Sequence, residues 1–202
     1  MDSTGHFPVK SRAGNEYNLI IYSHDANYIH VEPMKRGTGR LVDAYRRGHA
    51  FFKSKGFHPK FERLDNETSK ELQDYMKLEN IFFQYVPPHS KRRDAAERAI
   101  STLCTVDKDF PLLLWDAILP QTEMTLNLMR GSRVDPHISA WEQLHGKYNF
   151  DAHPIAPLGM HIILHEKPHQ RGSWSPHGVE GFYLASTIAV TAVGSLRHNA
   201  NG

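Results

Sequence analysis

Apolar residues in this chain switch between the two-residue spacing of β-strands and the wider spacing of helices, and this switching restricts the folds that the chain can adopt. The runs at 17–22 (YNLIIY) and 28–31 (YIHV) are rich in β-forming residues, and the turn-forming stretch Ser-His-Asp-Ala-Asn separates them. They predict a β-hairpin. From Gly39 to Lys55 apolar residues recur at helical spacing, and Gly56 supplies a stop signal. The hairpin is therefore predicted to lead into an amphipathic helix.

The next elements alternate strand, helix and strand. A short strand is predicted at Lys60–Leu64, a helix with an apolar face begins near Thr68, and a further strand is predicted at Ile81–Val86. Pro87 ends this last strand because proline cannot donate to a β-ladder. Since the alternating elements follow a hairpin, we expect an α/β fold in which helices pack on the faces of a mixed sheet.

Helical spacing dominates the middle of the chain. Helices are predicted from Asp94 through Leu103, from Asp109 to about Met129 with a kink at Pro120, and from Ser139 to Leu144. Near residue 150 the composition changes to proline, histidine and glycine, and strands are predicted at His161–His165 and Val179–Leu184. We therefore divide the chain into a main domain at 1–149, a small β-rich module at 150–186 and an unstructured or aberrant tail at 187–202.

Composition excludes some classes of protein. The chain has 202 residues with 24 Lys and Arg against 22 Asp and Glu, a net charge of +2, so any nucleic-acid surface must come from local clustering. The single cysteine, Cys104, excludes an internal disulfide and a multi-cysteine zinc module. No signal peptide or run of transmembrane length is visible. We expect a protein of the nucleus or cytoplasm that is not secreted and has no membrane partner.

Two carboxylates stand where a divalent cation could bind. Asp65 follows the predicted strand Lys60–Leu64, and Glu97 lies in the predicted helix Asp94–Leu103. A strand fixes the direction of one carboxylate while a helix lets the other reach across to it, and carboxylates are the ligands that Mg²⁺ prefers. Asp2 would be a third, although a residue so near the start of a chain is by default frayed. Simpler interpretations stay open, since Asp65 is also a helix-cap residue and Asp94-x-x-Glu97 is also a capping box.

Other charged and histidine residues carry weaker signals. Lys91, Arg92 and Arg93 precede the Glu97 helix and are predicted either to contact phosphates or to lie in a solvated loop. His161 and His165 lack the His-Glu-x-x-His pattern and fall in a predicted strand, so a zinc site is not predicted there. The basic residues of the first helix, Arg46, Arg47, Lys53 and Lys55, are predicted to form its solvent-exposed face.

A series of short motifs, in this order, resembles the integrase catalytic core of LTR-retrotransposon polyproteins of the copia or gypsy kind. The resemblance covers nearly the whole chain up to about residue 185, and the ordered set is much more specific than any one motif. The motifs are Asp2-Ser-Thr-Gly-His-Phe-Pro, Gly14-Asn-Glu-Tyr, Asp25-Ala-Asn, Val31-Glu-Pro-Met, Leu64-Asp-Asn-Glu, Pro87-Pro-His, Ala95-Ala-Glu-Arg-Ala-Ile, Trp115-Asp, Thr125-Leu-Asn-Leu, Ser139-Ala-Trp, His165-Glu-Lys-Pro and Trp174-Ser-Pro-His-Gly.

This resemblance implies an RNase H-like fold, DNA as the substrate and DNA strand transfer that depends on Mg²⁺ or Mn²⁺. It implies that Asp2, Asp65 and Glu97 are the catalytic metal ligands. The region from residue 153 resembles the small β-rich module that follows the core in copia-like polyproteins. DNA and a second copy of the chain are the partners to consider, and the residues expected to contact DNA are Lys91, Arg92, Arg93 and Arg98.

A non-catalytic remnant is the alternative interpretation. Only Met1 precedes Asp2, which predicts a short first strand, and the helix that carries Glu97 is predicted to be short as well. On this interpretation the chain keeps the fold as a nucleic-acid or protein interaction module. Its sequence leaves the choice between an enzyme and such a module open.

Overall fold

The predicted hairpin forms two strands of a three-stranded antiparallel sheet. The structure is a computed structural model that describes residues 1–37, 39–64, 69–85, 109–165 and 178–185. The side chains of Asp2 and Val179 are not described. Strand β1 (Asp2–Ser3) pairs with β2 (Tyr17–Ser23), and β2 pairs with β3 (Tyr28–Met34). The Cα partner of Asp2 is Ile20, whose own partner on β3 is Val31. The short first strand that the sequence predicts is therefore present.

Both faces of this sheet are buried. Leu19, Tyr28 and Met34 belong to one apolar cluster, and Ile20 and Ile29 belong to a second. Because successive side chains of a strand point to opposite faces, a strand covered on both sides reads as a continuous apolar run. This explains the unbroken run in β2 that made the hairpin visible in the sequence.

Helix α1 (Gly39–Ser54) covers one face and runs antiparallel to β3. Arg47 near its middle bonds Glu32, while Phe51 and Phe52 further along contact His30 and Tyr28 respectively. The helix packs very closely at Gly48, where an added Cβ would lie 2.3 Å from Cδ1 of Ile21. The chain then turns at Gly56, whose φ of +80° suits glycine.

Strand, helix and strand follow as predicted. Strand β4 (Phe61–Leu64) pairs in parallel with β5 (Phe82–Tyr85), and α2 (Lys70–Leu78) connects them. Ser69 caps α2 by accepting a hydrogen bond from the Leu72 amide. The predicted mixed α/β class is confirmed, but within the described ranges the strands form three small sheets instead of one mixed sheet. Among the described strands β1 pairs with β2, and β4 pairs with β5, so β4 and β5 form a sheet of their own.

The single kinked helix predicted from Asp109 to Met129 is wrong in its detail. A 3₁₀ helix (Leu112–Ile118) leads directly into helix α3 (Leu119–Leu128), and Pro120 lies in the first turn of α3. Proline fits there because the first amides of a helix have no intrahelical partner in any case. Pro120 therefore begins a new helix and does not bend an old one. The predicted helix Asp94–Leu103 lies outside the described residues.

A short helix and a hairpin complete the described structure. Helix α4 (Ala140–His145) begins after Ser139, which caps it by accepting a bond from the Glu142 amide. Strands β6 (His161–His165) and β7 (Gly178–Phe182) pair antiparallel, as predicted. Phe182 packs edge-to-face on Phe110, with ring centroids 5.6 Å apart, so the hairpin contacts the part assigned to 1–149. In the ranges that the structure describes, no helix combines the length and apolarity needed to cross a membrane. The predicted tail at 187–202 lies outside those ranges.

Candidate functional site

The predicted catalytic carboxylates stay predictions. Asp2 is in β1, opposite Ile20, but its side chain is not described. Asp65 and Glu97 lie outside the described residues. So do the residues expected to contact DNA, namely Lys91, Arg92, Arg93 and Arg98. The structure supplies the framework around this site.

The end of β4 lies beside the start of β1. The Met1 nitrogen is 2.9 Å from the carbonyl oxygen of Arg63 and 2.7 Å from Oε1 of Glu62. Because α1 runs back along β3, β4 starts at the Tyr28 end of the sheet and runs in the same direction as β1 and β3. Leu64, the last residue of β4, is completely buried and immediately precedes Asp65 in the sequence. The strand that holds Asp2 and the strand that leads to Asp65 are thus neighbours.

The free edge of β3 is closed by side chains of α3. Asn127 accepts a hydrogen bond from the Ile29 amide at 2.9 Å and donates one to the Ile29 carbonyl at 2.7 Å. One turn earlier, Oε2 of Glu123 accepts from the Val31 amide at 3.0 Å. An edge strand presents alternate unpaired backbone groups two residues apart, and side chains four apart on a helix can reach two of them. The helix thus takes the place of a fourth strand.

A buried line of charges continues from this edge. Nδ1 of His30 lies 3.0 Å from Oε1 of Glu123, and Nε2 of His30 lies 3.0 Å from Oε1 of Glu32. Glu32 also accepts a hydrogen bond from Nε of Arg47 at 2.8 Å. Burial alone would lower the pKa of His30, but the hydrogen bonds and charges of Glu123 and Glu32 outweigh burial and raise the pKa of His30 to about 9. His30 is therefore a cation at neutral pH, held between two carboxylates.

The other end of the line is neutral. Tyr28 donates to Oε1 of Glu123 at 2.8 Å, and its oxygen lies 3.1 Å from Nε2 of His145. Burial, with the Lys55 ammonium 3.3 Å from Nδ1, lowers the pKa of His145 to about 4. His145 is thus a neutral imidazole at pH 7 that accepts from Lys55 and donates to Tyr28. Burial and the Glu123 carboxylate also raise the pKa of the Tyr28 hydroxyl.

The polar groups of this line are hydrogen-bonded to one another. Each charge in the line already has a partner, which is the usual state of buried ionic groups. Among the described residues no set of three His, Cys, Asp or Glu side chains is placed to hold a metal ion. His161 and His165 are exposed on β6, and the expectation that they form no zinc site stays a prediction.

The sequence carries a periodic signal for each half of this line. Tyr28, His30 and Glu32 recur every second residue and therefore share one face of a strand. Glu123 and Asn127 are four residues apart in an otherwise largely apolar segment, so they share one side of a helix. The pattern does not show that this strand face and this helix side contact each other, because more than ninety residues of chain separate them.

Comparison with known proteins gives a likeness of fold. No protein-family model matches the chain, and no curated protein matches it. A chain in the structure of the simian T-cell lymphotropic virus intasome in complex with PP2A regulatory subunit B56 gamma is similar, with a TM-score of 0.54 and 16% identity. The match covers 95% of this chain and 74% of that chain. At this identity the similarity concerns the fold and not the activity.

Proposed function

We propose that this chain is an RNase H-like integrase core of the LTR-retrotransposon kind, which binds DNA and derives from an enzyme of DNA integration. The observation that carries the proposal is the likeness to a chain of a retroviral intasome structure over 95% of this chain. The ordered motifs from Asp2 to Gly178 point in the same direction independently, because they were identified from the sequence alone. The non-catalytic alternative is not favoured by these findings.

The framework of the predicted site supports the proposal. Strand β1, which contains Asp2, lies beside the last residues of β4, and Asp65 is the next residue of the chain. Short strands buried in a sheet hold carboxylates more rigidly than loops do. A DNA substrate would approach the end of the sheet at which β1, β3 and β4 terminate.

Three carboxylates are a donor set that suits Mg²⁺ or Mn²⁺, and Asp2, Asp65 and Glu97 would hold the metal. When bound, such a metal neutralises charge on a phosphate and lowers the pKa of a coordinated water. The DNA would be bound partly by Lys91, Arg92, Arg93 and Arg98. Since the matched structure is of an intasome, we also propose that further copies of this chain are partners.

A nicking assay on supercoiled plasmid DNA tests the catalytic part of this proposal. The purified chain is expected to nick the plasmid with Mg²⁺ present and not with EDTA. Glu97→Gln removes a charged metal ligand while keeping the size of the side chain, so nicking should fall to background. Glu71→Gln is the matched control, because Glu71 is an exposed residue in the first turn of α2 and the chemical change is the same.

The outcomes separate the two interpretations of the chain. Nicking that persists in Glu97→Gln would refute the assignment of this residue. If the wild-type chain binds DNA without nicking it under any metal condition, the non-catalytic module becomes the better description. Loss of nicking in both variants would mean that the assay reports general charge on the protein and not the site.

A further inference from the structure

A cleft of about 320 Å³ opens where β3 ends and α1 begins. Its lining includes three basic residues, Lys35, Arg40 and Arg47, together with Asn15. The acids of the lining are Glu32 and Asp43. Lys35 and Arg40 are exposed, so their charged groups are open to a ligand from solvent.

The acids in the cleft do not neutralise these two cations. Glu32 is already bound by His30 and Arg47, as the buried line of charges shows. Asp43 pairs with Arg46 on the outer side of α1, at 3.8 Å. No salt bridge joins Lys35 or Arg40 to an acid within the described ranges. Two cations that form no salt bridge among the described residues therefore line the same concave surface as Glu32 and Asp43.

A third ammonium group lies near this surface. An added Cβ on Gly14 would lie 3.6 Å from Cε of Lys35 and 3.7 Å from Cε of Lys10, so both lysine chains extend over the same turn. Gly14 has a φ of +87°, which lets the 11–14 turn bring the backbone this close. Lys10 is paired with Glu16 at 3.2 Å, but that pair is exposed on its lysine side and is weakened by salt. The lining has three basic and two acidic side chains, an excess of one positive charge, and the whole chain carries a net charge of +2.

The cleft also lies at the end of the sheet where the predicted active site belongs. Asp2 is in register with Ile20 and Val31, and Met34 in the cleft lies three residues further along β3. With strands about 4.8 Å apart and a rise of about 3.3 Å per residue, the Cα atoms of Asp2 and Met34 are roughly 14 Å apart. That separation corresponds to about four base steps of duplex DNA at about 3.4 Å each. One DNA segment can therefore cover both places.

We propose that this cleft binds backbone phosphates of DNA held against the carboxyl end of the sheet, with Lys35 and Arg40 as the phosphate contacts. The inference rests on the proposed function, because the partner is taken to be DNA. The cleft would be a second DNA contact surface, far along the chain from the predicted contacts Lys91, Arg92, Arg93 and Arg98. These contacts position the DNA and carry no base specificity, since phosphates are the same at every step.

Salt-dependent binding of a DNA duplex tests the inference. A fluorescein-labelled duplex of about 20 base pairs, long enough for a salt-dependent phosphate footprint, is titrated with the chain in EDTA over a range of KCl concentrations and followed by fluorescence anisotropy. EDTA keeps the test independent of any metal-dependent reaction. The variant Lys35→Glu/Arg40→Glu should bind at least about tenfold more weakly. Its slope of log Kobs against log salt should be smaller by about 1.8, roughly 0.9 for each phosphate that the variant no longer neutralises.

Lys70→Glu/Lys147→Glu is the matched control. Both lysines are exposed, Lys70 at the start of α2 and Lys147 after the end of α4, and the change in net charge is the same. Lys35→Ala/Arg40→Ala is a second test variant that introduces no new negative charge, and far-UV circular dichroism with thermal melting shows that each variant is folded. The alanine variant should show the same decrease in slope as the glutamate variant.

Each result has a definite meaning. A decrease in affinity and slope in both cleft variants, beyond that of the control, supports the inference. If the cleft variants and the control behave alike, the inference is wrong while the proposed DNA binding stands. If the wild-type chain binds no duplex at all, the proposed function fails and the inference fails with it.

Discussion

Asn127→Ala should strongly destabilise the chain, because it opens the free edge of β3. Asn127 is completely buried and bonds both backbone groups of Ile29, at 2.9 Å and 2.7 Å. Its amide nitrogen also donates to the Glu123 carbonyl at 2.8 Å. Alanine has no side-chain polar atoms, and Ile29 is itself 1% exposed, so water does not replace the missing hydrogen bonds.

The magnitude follows from the number of backbone groups left without a partner. A buried donor or acceptor that loses its partner costs about 1–3 kcal/mol. With the amide and the carbonyl of Ile29 both affected, we expect the free energy of unfolding to fall by roughly 2–6 kcal/mol. The total stability of a domain is about 5–15 kcal/mol, so this change is large.

Urea unfolding followed by circular dichroism measures this change, and two further variants separate its causes. Asn127→Leu keeps the branched shape and the number of heavy atoms of the side chain without its polar atoms, so it should be destabilised nearly as much as the alanine variant if the hydrogen bonds matter. Asn149→Ala is the control, since the Asn149 side chain makes exposed turn bonds, to the Asp151 and Ala152 amides, among the described residues. It should cost less than about 1 kcal/mol.

Hydrogen exchange of the Ile29 amide gives a second measurement at the same place. This amide should be protected in the wild-type chain and exchange much faster in Asn127→Ala, because its acceptor is gone. Recovery of wild-type stability in Asn127→Leu would refute the reasoning, since it would show that filled volume and not hydrogen bonding holds α3 to β3. So would an Ile29 amide that stays protected in the alanine variant.

Two further changes test the buried charges and the close packing of α1. The contribution of His30 to stability, on the order of 3 kcal/mol for a pKa raised from 6.5 to about 9, should be fully present below pH 6.5 and lost as the pH rises through about 9. Urea unfolding at pH 6.5 and pH 9.5 should show this loss in the wild-type chain and a clearly smaller one in His30→Gln; an equal pH dependence in both would contradict the assignment. Gly48→Ala should destabilise by about 1–3 kcal/mol, because the new methyl would lie 2.3 Å from Cδ1 of Ile21, against a gain of about 1 kcal/mol in helix propensity. A thermal melt at or above the wild-type midpoint would show that Ile21 can move aside at no cost.

Periodicity in the sequence predicted the elements well where burial is one-sided or continuous. The hairpin, α1, the unit from β4 to β5 and the hairpin β6–β7 are all present within a few residues of their predicted bounds. The break at Ile118 was missed because the apolar residues on either side continue without a visible change of spacing. Local spacing reports that a residue is buried, but does not say whether the backbone is α-helical or 3₁₀.

Long-range partners could not be predicted in the same way. That Asn127 meets Ile29, or that Met1 meets Arg63, depends on where whole elements pack, and no pattern within one element contains this. The cleft at the end of β3 is a similar case. Lys35, Arg40 and Arg47 look like ordinary surface charge in the sequence, and the predicted role of Arg47 was only to face solvent. The candidate carboxylates were predicted from their places on a strand and a helix and from the family resemblance, and their convergence stays a prediction.

The line of charges explains why the three basic residues of the cleft are not equivalent. The His30 ring is hydrogen-bonded to Glu123 on one side and to Glu32 on the other. Arg47 in turn donates hydrogen bonds to Glu32 and to the Pro33 carbonyl. Arg47 therefore lines the cleft in a fixed position, with its guanidinium already bound to Glu32. Replacing Arg47 would disturb the buried line of charges as well as the binding of any ligand. Lys35 and Arg40 have no such attachment among the described residues, so they alone can be exchanged without changing the fold. A phosphate that enters the cleft would gain most of its binding energy from these two side chains, which is why the binding test changes them and leaves Arg47 in place.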